Sequence, residues 1–426
     1  MVNQLKRIII LLAGSAVIGT ILLVLCFCIP TEPMKQNVTN SLKSMIKVGD
    51  EVPQDSFSRY LWGKRETYTD AIMVQNAIER IADKNVFEHA MWVYHNDLEP
   101  EIWAPEESLK AYCNPDDDST MYLHEYSRYW HGYLIYLKPL LLFLSWKQIL
   151  WLGIVLQVLL MIAVFVAAMR RKQIEVGIAM LVGFAFMKPV LVLGSLTMAV
   201  CWLITLAAML YMLLCHERLQ EKQWYAEVFL MIGILTAYFD FLTYPVVTLG
   251  FPLCTYFLLE KMPSIKECVR KMVAFCFCWG VGYAGMWASK WVIADITLQT
   301  GTIKNAIWSI IGRTEAIGGR PRMNGGWYVI DLNLQEYPSV FVIAAIVLAI
   351  AVAVILVMAS VRTSVKQVLL QVMPFTIIFL IPFAWIVVVQ HHSALHARFT
   401  FRIISVALMA VICMGLTLVR SCKKAT

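Results

Sequence analysis

Five of the twelve residues from 391 to 402, in the stretch HHSALHARFTFR, are His391, His392, His396, Arg398 and Arg402. An imidazole exchanges protons near neutral pH and ligates metals, and a guanidinium presents a planar fork that fits phosphate oxygens. The stretch follows some twenty almost wholly apolar residues, so the chemistry it suits is capture of an anionic group at a membrane surface. If 391–402 is helical, His391, Arg398 and Arg402 fall close to one face. His392 and His396 then share the neighbouring face at i, i+4. Two histidines make half a metal site, and a third ligand has to come from Asp240 or from a carboxylate of the first outer loop. A divalent metal is therefore compatible with these residues without being required. The alternative for the arginines is snorkelling to lipid headgroups.

Other residues of the same kind are scattered along the chain. Asp70, in ETYTDAIMVQNAI, is a candidate general base or the N-cap of its own helix. Asp240, in AYFDFLTYPV, sits flush with an apolar run, where a carboxylate is costly to leave unpaired; Lys188, Arg398 and Arg402 are its candidate partners, and contact with a substrate is the other role. Lys188, before Pro189, has the same choice between phosphate contact and snorkelling. Arg320, Arg322 and Trp327 lie in GGRPRMNGGWY, whose composition suits either a lid over an anionic or sugar ligand or an ordinary outer loop.

The elements that position these residues are membrane helices. The 426 residues are 59% hydrophobic and only 15% charged, which describes a polytopic membrane protein. Apolar runs near the ~20 residues that span about 30 Å of hydrocarbon recur at 8–30, 149–169, 190–214, 269–293, 339–361, 368–390 and 402–419. Shorter ones lie at 175–187, 227–239 and 245–259. Lysine and arginine collect at LKR (5–7), RRK (170–172), HERLQEK (216–222), KECVRK (266–271), VRTSVK (361–366) and RSCKK (420–424). Placing all of these in the cytoplasm requires an even number of crossings between consecutive clusters. About ten transmembrane helices, with both termini inside, satisfy that, and a re-entrant pair in place of 175–187 and its partner keeps the parity.

This reading expects an all-α protein: a first helix over 1–30, an outer loop over 31–148, spans two to seven over 149–293, a second outer loop over 294–337, and three spans with a short tail over 338–426. In the first loop, 69–87 has an apolar stripe at helical spacing, expected to lie on the membrane surface. Of the eleven cysteines only Cys113 falls clearly in an outer loop, which excludes a disulfide framework there. The net charge of +7 follows from topology and does not imply nucleic acid. No nucleotide-phosphate loop or dinucleotide fingerprint is present.

An N-terminal helix, a large outer loop with a carboxylate in ETYTDAIMVQNAI, the stretch SRYWHGYLIYLKPLL and many following spans together resemble the GT-C class of integral-membrane glycosyltransferases. YFDFLTYPVVTLGFPL and HHSALHARFTFR resemble stretches of uncharacterised bacterial membrane proteins of that kind. The resemblance implies transfer of a sugar from a polyprenyl-phosphate donor to a glycan, lipid or protein acceptor outside a bacterial plasma membrane. Asp70 would be the base, with the outer arginines and histidines on the donor. Asp70 lies farther behind the first helix than that class places its acidic motif, which makes Glu51, Asp55 and Glu66 rivals. A transporter or flippase for lipid-linked glycans, and a polysaccharide polymerase or ligase, are the other classes. The first expects ionisable residues deep within the spans, which are nearly absent here. The second places its largest outer loop late in the chain, whereas here it comes first.

Overall fold

The computed structural model describes residues 2–46, 67–81, 83–98, 104–114, 116–299, 301–316, 322–362 and 364–425. It is 80% helical. Among the described residues seven helices are long and apolar enough to cross a membrane. They are α1 (Val2–Phe27), α7 (Trp146–Arg170), α10 (Leu196–Glu221), α13 (Ile265–Leu298), α16 (Ser339–Arg362), α17 (Val365–Val388) and the segment that ends in α20 (Ile404–Ala425). The three shorter runs form α8 (Ile174–Ala185), α11 (Tyr225–Phe239) and α12 (Val246–Leu259). At 1.5 Å per residue these are about 18 to 22 Å long, less than the hydrocarbon thickness. Serine opens several of the long helices: Ser145, Ser195, Ser264 and Ser364 accept the backbone N–H three residues on, which satisfies a donor the helix itself leaves open.

The region over 31–148, read from the sequence as the first outer loop and called the first outer region below, departs from the all-α expectation. It carries α2 (Thr31–Ile46), α3 (Tyr68–Ile78), α4 (Val86–Met91), β1 (Tyr94–Asp97), α5 (Pro105–Cys113), β2 (Tyr122–Glu125) and α6 (Leu134–Leu141). The two strands pair antiparallel, with His95 opposite His124. The expected surface helix at 69–87 is instead broken at Glu79, and every residue of α3 from Asp70 to Ile78 is buried. Its polar face is buried as thoroughly as its apolar one: Asn76 accepts from Tyr133 Oη at 2.9 Å, and Gln75 accepts from Asn96 N at 3.0 Å. Cys113 is also buried, 4% exposed.

Two lysines brace this region, one from within it and one from α13. Lys138 Nζ donates to Ala77 O at 2.7 Å, and Lys290 Nζ donates to Ala90 O at 3.1 Å and Met91 O at 2.8 Å. Each thus meets the carbonyl end of a short helix, where a cation is favoured. Trp130 Nε1 to Met286 O at 2.6 Å and Trp291 Nε1 to Arg128 O at 2.9 Å complete the attachment to α13.

Polar contacts sort to the two ends of the bundle. Arg7 pairs with Glu227 at 3.4 Å, Arg171 with Glu217 at 2.6 Å, His216 with Glu260 at 2.9 Å, and Arg420 with Gln173 at 2.9 Å. The basic segments at 5–7, 170–172, 216–222 and 420–424 thereby gather at one end, and the first outer region covers the other.

Candidate functional site

Of the residues singled out by sequence, Asp240 lies in the turn between α11 and α12, residues 240–245, at the covered end; His392 bonds to that turn, and Asp70 meets it through the first turn of α10. Asp240 terminates α11. Its carboxylate folds back on the turn, accepting Thr243 N at 3.0 Å and the Thr243 hydroxyl. Burial raises the Asp240 carboxyl, against the lowering effect of these bonds. Leu242 takes a left-handed φ of 65°, which turns its carbonyl to His392 Nε2 at 3.0 Å. The Tyr244 hydroxyl donates to Met198 O in the first turn of α10. Phe241 stacks among Tyr126, Tyr129, His131 and Tyr133 of the outer region.

Asp70 reaches the same turn of α10 from the other side. Its Oδ1 accepts Ser195 Oγ at 3.1 Å, Thr197 N at 2.9 Å and Thr197 Oγ1 at 2.6 Å, and its Oδ2 accepts Leu196 N at 3.1 Å. The residue before its own helix, Thr67, makes no side-chain cap. Asp70 therefore caps a distant helix and is itself 1% exposed. The rivals Glu51, Asp55 and Glu66 lie outside the described residues, as does Arg320. Arg322 opens α15 (Arg322–Leu334), a helix where the composition pointed to a loop; its side chain is not described.

The stretch 391–402 is not one helix. It runs as α18 (Gln390–Leu395), a break at His396 with φ −113° and ψ 33°, α19 (Ala397–Thr400) and a 3-10 turn (Phe401–Ile403). The break removes the expected common face. Arg398 is exposed, His391 half-buried and Arg402 buried. Arg402 donates Nε to Met187 O at 3.0 Å and Nη1 to Arg398 O at 2.5 Å, with its guanidinium 4.7 Å from the centre of the Phe401 ring. Lys188, itself in a left-handed conformation at φ 53°, pairs with Glu336 at 3.0 Å and not with Asp240. Burial holds Lys188 below its ordinary pKa, Glu336 opposes this, and Arg402 and Arg398 add to it.

The His392 and His396 rings do meet, 4.6 Å apart. Burial pushes His392 down to about 3, reinforced by His396 and Arg313; burial and Arg313 also lower His396. Both are neutral at pH 7. No third ligand joins them, and among the described residues no group of three or more His, Cys, Asp or Glu is placed to hold a metal ion.

Sequence reasoning missed three contributors. Arg313 donates to Tyr129 Oη at 2.8 Å beside the histidines. Tyr283 and Trp287, on α13, continue the aromatic wall, with the Trp287 and Tyr129 rings 5.0 Å apart. Near them, Tyr283 Oη, Trp287 Nε1, both ends of the Gln390 amide and Ser393 Oγ are buried without a hydrogen-bond partner. The one signal was Asn305, Ser309 and Arg313 at successive i, i+4 steps. An apolar groove of about 930 Å³ lies between α1, α7, α10 and α11, and runs from the Arg7–Glu227 pair to Tyr136 and Phe239, next to the turn. Comparison with family models, curated proteins and solved structures finds no match for this chain.

Proposed function

We propose that this multi-pass membrane protein is a glycosyltransferase that moves a sugar from a polyprenyl-phosphate donor to an acceptor at the outer face of a bacterial plasma membrane, with about ten crossings and both termini in the cytoplasm. The observation that carries this reading is the group of side chains beside the 240–245 turn. Aromatic rings and unpartnered buried polar groups, Tyr283 Oη, Trp287 Nε1, Gln390 and Ser393 Oγ, stand beside Arg313 and two neutral histidines. Buried polar groups are rarely left unpaired in native proteins, and this set matches the alternating faces and hydroxyls of a sugar. Exposed Arg398, with Lys188 and Arg313 at hand, suits the donor phosphate, where charge grows as the glycosidic bond breaks. His396 is exposed and neutral, which suits acceptance of the proton from an acceptor hydroxyl. Asp70 and Arg402 act on this site through position, by fixing the first turn of α10 and the 401–403 turn. The test is reconstitution of purified protein with a radiolabelled polyprenyl-phosphate sugar and an envelope extract as acceptor. Label should move to the acceptor, and Arg398→Ala and His396→Ala should each abolish most of that movement. Absence of transfer from every lipid-linked sugar supplied, or parental transfer in both variants, overturns the reading.

A further inference from the structure

The helix α14 (Thr302–Thr314) is built inside out. Facing the protein are Thr302 and Ala306, each 1% exposed, and the half-buried Ser309 and Arg313, with the exposed Asn305 at the edge of that side. This side is the polar one. Arg128 Nη1 donates to Asn305 Oδ1 and to Ser309 Oγ, both at 2.7 Å, and Arg313 donates to Tyr129 Oη at 2.8 Å. Thr302 N donates to Asp295 Oδ1 at 2.8 Å and anchors the start of the helix on α13. The opposite side is apolar and bare: Ile307 is 50% exposed, Trp308 64%, Ile310 45% and Ile311 44%. A helix on the surface of a water-soluble domain has the reverse arrangement.

We propose that α14 lies in the outer leaflet, with Ile307, Trp308 and Ile311 bedded in phospholipid and its polar side holding the first outer region. Lipid is favoured over a protein partner by two features of the molecule. Just upstream, Val292 and Ile296 on α13 are exposed, and α13 is itself long and apolar enough to cross the membrane. The bare stripe of α14 thus follows, a few residues on, an exposed apolar stretch of a helix suited to lipid. Lys304 is exposed on the same side, one turn before Ile307 and Trp308, where its stem lies along apolar surface and its ammonium reaches the phosphates. Tryptophan at this depth is the ordinary residue of the interface. The consequence is that Arg313 is presented to the histidine pair from a lipid-embedded helix, so those side chains stand at headgroup depth. The inference rests on membrane insertion alone and is independent of glycosyl transfer.

The test is site-directed spin labelling at Ile307→Cys and Ile311→Cys in phosphatidylcholine–phosphatidylglycerol liposomes, with the accessible native thiols Cys28, Cys215, Cys276 and Cys422 replaced by serine. Both positions are exposed, so the label is accommodated without repacking. Oxygen, which concentrates in lipid, should relax both labels more than a water-soluble nickel chelate does, and the order should reverse at Asp117→Cys in the first outer region. Dominance of the chelate at 307 and 311 overturns the proposal in favour of a water-facing helix. Low access to both reagents overturns it in favour of a protein cover, either another segment of the chain or a second copy.

Discussion

At the scale of single residues, a carboxylate identified by its neighbours in sequence serves an element far from it. Asp70 sits in the first turn of α3, yet its hydrogen bonds go to Ser195, Leu196 and Thr197, where the open N–H groups and the dipole of α10 favour an anion. Asparagine would cap its own helix about as well as aspartate, but here it removes the charge and sets an NH2 group against donors. Asp70→Asn should therefore cost about 1.5–3 kcal/mol, the range of a hydrogen bond to a charged group, and lower the melting temperature in detergent. A variant that melts like the parent but has lost transfer returns Asp70 to the role of base. The residue type was legible in sequence; its partner was not, because capping across 125 positions leaves no local pattern. The histidines carry a second prediction. Burial pushes His131 and His392 from the ordinary 6.5 down to about 3, so between those values the unfolded chain binds protons that the folded one refuses. Their stabilisation is complete above pH 6.5 and is lost as pH falls toward 3. Melting temperature should decline through that window, and His392→Gln should flatten the decline; a profile that stays level from pH 7 to 4 contradicts the assignment.

At the scale of elements, close approach of helices matters more than apolar length. A Cβ on Gly233 would lie 2.1 Å from Trp279 O, and one on Gly282 would lie 2.2 Å from Leu230 O. The backbones of α11 and α13 thus touch through paired glycines, the means by which membrane helices pack without a hydrophobic driving force. Because the obstructing atoms are carbonyls and not flexible side-chain ends, Gly282→Ala must push the helices apart. It should destabilise the protein by about 1–3 kcal/mol, as overpacking does. Gly153→Ala, with nothing within 4 Å of the added carbon, should melt like the parent, and equal effects in the two variants would show that α11 and α13 do not meet there. Hydropathy located the long helices, since each is a run of apolar residues. It gave no sign that 391–402 breaks at His396 or that α3 is buried on all sides, because both follow from packing against segments distant in sequence. The inside-out pattern of α14 was present in the sequence, but its sign is readable only once the neighbour of each face is known.

At the scale of the whole molecule, the short helices decide the topology. α11 and α12 are each shorter than the hydrocarbon is thick, yet their hairpin runs beside most of α10. His216 Nδ1 meets Tyr225 Oη at 2.6 Å at the start of α11, and Cys201 Sγ meets Thr243 Oγ1 at 3.7 Å in the turn. The pair thus climbs from the level of residue 216 to that of residue 201, about 22 Å at helical rise. That places the 240–245 turn among the outer-end residues and returns the chain to the end where the basic segments gather. The positive-inside bias would put that end in the cytoplasm, and the prediction is a labelling pattern. With Cys28, Cys215, Cys276 and Cys422 replaced, Asp117→Cys should react with a membrane-impermeant maleimide in intact cells. Lys222→Cys and Lys261→Cys, which flank the hairpin and are exposed, should react only after permeabilisation. Native Cys113, in the same region as Asp117, should stay unlabelled because it is buried. Labelling of Lys222→Cys and Lys261→Cys from opposite sides would mean that the hairpin is a single crossing, which would break the parity and separate Asp240 from Arg313 and His392. Labelling of Asp117→Cys only after permeabilisation would invert the molecule, placing the 240–245 turn and the histidine pair on the cytoplasmic side, where a donor for transfer at the outer face does not reach them.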